Sequence, residues 1–248
     1  MLFDAMKMND PFTQLNPSDF TLEDACIDIW CFPLSTAFAG AHALLNEEES
    51  IRAKRYHFPR HQRRFTLARA ILRIILARYL KVPPSSLIFT TNKYGKPLLV
   101  NHPSLHFNIS HSGELALLAV SNNHPMGIDL EFFSERPYEG IAKSLFSPKE
   151  IQAVEQAPSH VKPMIFFQIW SQKEAFIKAC GLGLHYPTQQ FTVPILSTTT
   201  CVIEDLQTNI NWHMTSFMPQ VGCCAAVCYH PSIKNIRYLV LEHPLDLE

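Results

Sequence analysis

No aspartate or glutamate occurs between Ser50 and Gly113, although that span holds twelve of the chain's twenty-one Lys and Arg. The net charge of −1 therefore conceals a segregated surface, not a mixed one. Folded onto one face, such a segment suits an anionic ligand, phosphates above all; nucleic acid is the other reading, and a solvated helix face the plain one. Any CxxC pair is also missing. The seven cysteines are odd in number, which excludes a fully paired disulfide framework and fits a reduced, cytoplasmic protein with buried thiols. No apolar run approaches the roughly 18 to 20 residues of a membrane span, and the first residues, with Asp4 and no long apolar core, do not read as a secretory signal. No repeat of short period appears. At 248 residues, 47% hydrophobic and 17% charged, the chain has enough apolar material for one large core or two small ones.

Residues 1–24 are polar, carry Pro11 and Pro17, and read as a loose leader. A strand is predicted over Cys26–Leu34, and the acidic run Glu47–Glu49 suits the first turn of a helix. From His61 to Leu80 an apolar stripe (Phe65, Ala68, Ile71, Leu72, Ile75, Tyr79) predicts a long helix with Arg63, Arg69, Arg73 and Arg78 largely off it. Residues 92–97 read as a tight turn. Strands follow at Leu115–Ser121 and Gly127–Phe132, a capped helix at Ser147–Glu150, and a further helix over Met164–Ala179 closed by Gly181 and Gly183. From Phe191 onward the texture is β: FTVPIL, TCVIEDL, NWHMTSFM, CCAAVCYH and IRYLVLE.

Two stretches carry the chemistry. In FNISHSGELALLAVSNNHPMGIDLE, a Ser110–His111 turn precedes Asp129 and Glu131, whose alternation on a strand puts both carboxylates on one side. Such a pair repels itself unless a cation sits between. In WSQKEAFIK, Trp170, Glu174 and Lys178 stand four apart on one helix face. Alone, Glu174 and Lys178 are a plain helical ion pair worth about 0.3 kcal/mol. In this company the carboxylates suit a hard cation such as Mg²⁺, which takes oxygen ligands and leaves room for substrate phosphates. Glu174 is then a third ligand or a general base, and Lys178, His111, Ser110 and the backbone beside them are candidate phosphate donors.

FNISHSG, GIDLE and WSQKEAFIK, in that order and with RRFTLARAILR, YGKP and FSPKE, resemble the broad-specificity 4′-phosphopantetheinyl transferases over about residues 45–190. The resemblance implies an α+β fold of two similar halves related by a pseudo-two-fold, joined near residues 122–126, with the active site in the cleft between them. Residues 25–124 are then an N-terminal half with a coenzyme A-binding basic segment, and 125–248 a C-terminal half with metal carboxylates and a catalytic helix. It implies transfer of the phosphopantetheine arm of coenzyme A to a serine of an apo acyl or peptidyl carrier protein, releasing adenosine 3′,5′-bisphosphate. The ion is Mg²⁺, with Mn²⁺ as the alternative. By motif, Asp129, Glu131 and Glu174 hold the metal; Glu174, Lys178 and His111 are catalytic; Arg52, Lys93, Tyr94, Gly95, Lys96, Pro97, Asn108, Ser110, His111 and Lys178 bind coenzyme A.

Three residues before Arg52, where some relatives carry a second cation, this chain has Glu49, with Arg64 and Arg69 as candidate substitutes. Glu150 reads as a helix cap. The expected protein is a monomer, a pseudo-dimer within one chain, that binds neither membrane nor nucleic acid. The competing reading is a non-catalytic coenzyme A- or RNA-binding protein. Against it, the aromatics of the basic helix fall on its apolar stripe and do not form stacking platforms among the cations, and no motif carboxylate or lysine is missing. Fatty-acid, polyketide and peptide synthesis all stay open as the pathway served.

Overall fold

The computed structural model describes residues 12–14, 20–134, 138–195 and 200–242. A strand β2 (Cys26–Pro33) leads through the short helix α1 (Glu47–Lys54) to the long helix α2 (Pro59–Leu80), and a hairpin β5–β6 (Leu105–Ser112, Leu115–Asn122) closes the first unit. The second unit repeats this plan: β7 (Met126–Phe132), then α5 (Lys162–Cys180), then the hairpin β9–β10 (Ile210–Phe217, Cys223–Tyr229). In each, the last strand of the hairpin lies between the other two, antiparallel to both, giving β2-β6-β5 and β7-β10-β9. The architecture is α+β with two sheet-containing halves, and the repeat lies in topology, where no sequence period exposes it. Around this frame are β1 (Thr13–Gln14), the small hairpin β3–β4 (Phe89–Thr91, Pro97–Leu99), α3 (Glu139–Leu145), α4 (Pro148–Gln156), β8 (Cys201–Asp205) and β11 (Asn235–Val240).

The two sheets pack face to face with their helices outside. Trp30 and Phe32 of β2, with Leu118 and Val120 of β6, face α2, whereas Ile27, Ile29, Leu117 and Ala119 face the other sheet. That sheet answers with Ile128 and Leu130 of β7 and Ala225 and Val227 of β10. Strands covered on both faces read as continuous apolar runs, hence LALLAVS. Because Ile128 and Leu130 point inward, alternation turns Asp129 and Glu131 toward α5.

Several expectations need correction. Ser110 and His111 lie within strand β5, not in a turn. Residues 191–195 of FTVPIL form no strand. Arg73 is buried, although it was expected off the apolar stripe, because Glu49 and two carbonyls receive it. Of the expected leader, residues 1–11 and 15–19 lie outside the described residues. The remainder is packed: β1 pairs in parallel with β11, and Phe20 stacks on Trp30 at 5.2 Å. β11 in turn leaves the C-terminal half to join β2. There Arg237 donates to both oxygens of the fully buried Asp28, at 2.7 and 2.6 Å, and fastens the return.

Candidate active site

The close approach of α5 to β7 depends on Gly127. A Cβ there would lie 2.2 Å from the carbonyl oxygen of Ala175 and 2.4 Å from the amide nitrogen of Ala179, so only hydrogen fits against the helix backbone. Asp129 and Glu131 follow at alternate positions on the same strand face, and α5 presents Trp170, Glu174 and Lys178 to them at successive turns.

Lys178 Nζ lies 2.6 Å from Asp129 Oδ1, which also accepts from Ser110 Oγ at 2.8 Å. Glu131 accepts from Trp170 Nε1 at 3.1 Å and from Ser112 Oγ at 3.2 Å. Burial opposes the charge on Lys178, yet Asp129 and Glu174 win and hold it above the usual lysine range. Glu174 is pushed up to about 7 by burial, with Asp129 and Glu131 adding to the rise and Lys178 opposing it. Three carboxylates thus share one ammonium.

As the side chains stand, no three His, Cys, Asp or Glu among the described residues enclose a metal ion. The donor set nonetheless fits one. Asp129 Oδ2 is buried with no hydrogen-bond partner, and an unsatisfied carboxylate oxygen beside two further carboxylates is what a hard cation takes up.

A cleft of about 820 Å³ opens from Glu174 and Lys178 toward the first half; Asp129 and Glu131 stand behind them and are not among its lining residues. Glu174, Lys178, His111, Asn108, Lys96, Arg52 and the Tyr94–Pro97 turn all line it. His111 keeps a solvent-exposed surface, but the protein around its ring and the cations Lys178 and Arg64 hold it below the usual imidazole range. Asn108 also serves the backbone, its Oδ1 accepting from Ile128 N at 2.7 Å. Lys96 is pushed down to about 8 by burial; its ammonium donates to Met126 O at 2.9 Å and so ties the turn to β7. Arg52 lies over the Phe65 ring at 5.2 Å. Lys93 is exposed, over Tyr94 at 4.8 Å, and is not among the lining residues, nor is Ser110, whose hydroxyl is turned to Asp129.

Glu49 departs from the expected cation without making the cleft acidic. Its carboxylate accepts from Arg69 and, at 2.8 Å, from Arg73 Nε, while Asn46 and Glu49 close a capping box on α1. Arg69 and Arg73 both lie against the Phe89 ring. Of the two candidate substitutes, Arg69 lines the cleft, whereas Arg64 is drawn to Glu114 at 2.7 Å and does not. Glu150 is fully buried, caps α4 and pairs with Lys173 at 2.9 Å.

The comparisons with known proteins follow the two halves. Residues 30–123 match "4'-phosphopantetheinyl transferase, N-terminal", and residues 125–228 match the "4'-phosphopantetheinyl transferase superfamily". Over 220 residues, 85% of this chain and 90% of the relative, it is 37% identical to the 4'-phosphopantetheinyl transferase HetI of Nostoc sp.. The chain belongs to the 4'-phosphopantetheinyl transferase superfamily. It is also 30% identical over 190 residues to the transferase Sfp of Bacillus subtilis, covering 76% of this chain and 84% of Sfp. With the transferase gsp of Aneurinibacillus migulanus it shares 31% over 185 residues, 72% of this chain and 74% of gsp. This transferase therefore carries out 4′-phosphopantetheinyl transfer to carrier proteins, in a family that uses coenzyme A and Mg²⁺.

Sequence reasoning missed Gly127, Ser112 and Arg73. Gly127 and Ser112 stand inside quoted motifs, and Ser112 falls two residues after Ser110 on the same strand face, so a spacing signal existed. Arg73 closes the quoted RRFTLARAILR, yet nothing in that motif tells that its guanidinium is buried against the distant Glu49.

Proposed function

We propose that this transferase moves the phosphopantetheine arm of coenzyme A onto a serine of an apo acyl or peptidyl carrier protein, using Asp129, Glu131 and Glu174 as ligands of Mg²⁺. The observation that carries this reading is the convergence of Asp129, Glu131, Glu174 and Lys178, with Glu174 and Lys178 at the end of a cleft that Arg52, Arg69 and Lys96 also line. Bound there, the ion would supply charge neutralisation on the pyrophosphate. The side chains supply the rest. Lys178 and His111 neutralise and donate to phosphate oxygens, and the turn at Tyr94–Pro97 with Arg52 and Arg69 receives the nucleotide end. The serine hydroxyl attacks the phosphorus that bears the pantetheine arm, its proton passes to the Glu174 carboxylate, and the anhydride oxygen leaves with adenosine 3′,5′-bisphosphate. This is chiefly positioning and electrostatic work.

No helix of the described residues is long and apolar enough to cross a membrane. With all seven cysteines as free thiols, we take the enzyme to act in the cytoplasm as a single chain that supplies both halves of its cleft. The test is intact mass of several apo carrier proteins after incubation with the enzyme, coenzyme A and Mg²⁺. Addition of one phosphopantetheine supports the reading; unchanged mass across the panel refutes it.

A further inference from the structure

We propose that Ser112 is a positioning residue for Glu131, and that β5 orients both strand carboxylates through one repeated hydroxyl relay. The inference rests on the reading above that Asp129 and Glu131 bear a divalent cation, and it concerns a side chain to which that reading gives no task.

β5 and β7 belong to different sheets, yet they run side by side. Side chains replace the missing backbone ladder. Asn108 Oδ1 accepts from the amide of Ile128 at 2.7 Å, Ser110 Oγ from that of Leu130 at 3.3 Å, and Ser112 Oγ from that of Phe132 at 3.2 Å. The partners advance together by two residues, so small polar groups at alternate β5 positions satisfy alternate amides of β7.

A serine hydroxyl has one proton to give. In both serines it goes to the carboxylate just before the amide that the oxygen accepts from: Ser110 to Asp129 Oδ1 at 2.8 Å, Ser112 to Glu131 Oε2 at 3.2 Å. The two rungs are chemically the same device. Asp129 is short and has Lys178 as a second anchor. Glu131 has a longer, more rotatable stem, and Trp170 Nε1 holds its other oxygen at 3.1 Å. Ser112 and Trp170 therefore grip the two oxygens of Glu131 from opposite halves of the molecule, β5 on one side and α5 on the other. Outer partners of this kind fix the direction of a ligand and commonly govern about 10- to 100-fold of metal affinity.

Mn²⁺ is the probe, titrated into the full-length protein with coenzyme A present and followed by the electron paramagnetic resonance signal of free Mn²⁺. For Ser112→Ala we expect about tenfold weaker Mn²⁺ binding, unchanged coenzyme A affinity without divalent ion, and a matching rise in the Mg²⁺ concentration for half-maximal transfer. Ser112→Thr, which keeps the hydroxyl, is expected to restore the wild-type values. Ser112→Cys keeps the volume but loses the strong donor, and it should show the same loss should the alanine variant fold poorly. Wild-type Mn²⁺ affinity in the Ala or Cys variant, or an equal fall in coenzyme A and Mn²⁺ binding, would overturn the proposal by reducing Ser112 to a latch between strands. Failure of the wild type itself to bind Mn²⁺ would instead overturn the metal reading beneath it.

Discussion

The ammonium of Lys178 lies 2.6 Å from Asp129 Oδ1, while the other oxygen of the same carboxylate, Oδ2, is buried with no hydrogen-bond partner. One oxygen is committed to the helix and the other is left for a cation. The arrangement depends on how closely α5 approaches β7, and the first prediction concerns that approach.

Gly127→Ala places a methyl group against the backbone of Ala175 and Ala179, where no side-chain rotation relieves it. The helix must move away from the strand. A loss of about 3 kcal/mol of stability is expected, together with a fall in turnover, because Glu174 and Lys178 ride on the displaced helix. Denaturant unfolding and transfer rates check both.

Glu49 should stabilise the fold rather than oppose the ligand. Burial raises its pKa, but Arg69 and Arg73 outweigh burial and hold it below the ordinary value of 4.5. A depressed carboxylate contributes stability that is complete above pH 4.5 and is lost as the pH falls through the folded value. Glu49→Gln should therefore cost about 3 kcal/mol near neutrality, chiefly by leaving the buried Arg73 unpaired. The difference from wild type should shrink in acid. Unfolding free energies measured from neutral pH downward give the slope.

Glu150 ends the quoted motif FSPKE and yet is not among the residues lining the cleft. It accepts from the amides of Ser147 and Val193 and from Lys173, all away from Asp129. Glu150→Gln keeps the cap and removes the charge opposite Lys173, so the melting temperature should fall while transfer per folded molecule stays unchanged. Lost turnover in a protein shown to be folded would instead assign Glu150 a catalytic part.

The legible part of this protein was what recurs locally. The apolar stripe of α2, the i, i+4 spacing of Trp170, Glu174 and Lys178, and the alternation of Asp129 and Glu131 state in one dimension which side chains share a face. What brings those faces together is long-range and leaves no period. Ser110 and Asp129 meet because β5 and β7 are the facing edges of two sheets. Glu49 is neutralised by arginines twenty and twenty-four positions away. The parallel return of β11 to β2, from the far end of the chain, has no sequence signal at all. His111 lines the cleft, but the strand that carries it looked like a turn because Asn, Ser and Gly are residues that turns favour.

The most direct measurement is made on Asp129→Ala. Transfer of phosphopantetheine from coenzyme A to an apo carrier protein is read by intact mass, coenzyme A binding by calorimetry, and folding by thermal unfolding. The account predicts a folded protein that still binds coenzyme A, more weakly, and transfers nothing. Retained transfer in that variant would contradict the assignment of Asp129 to the metal site and with it the central claim.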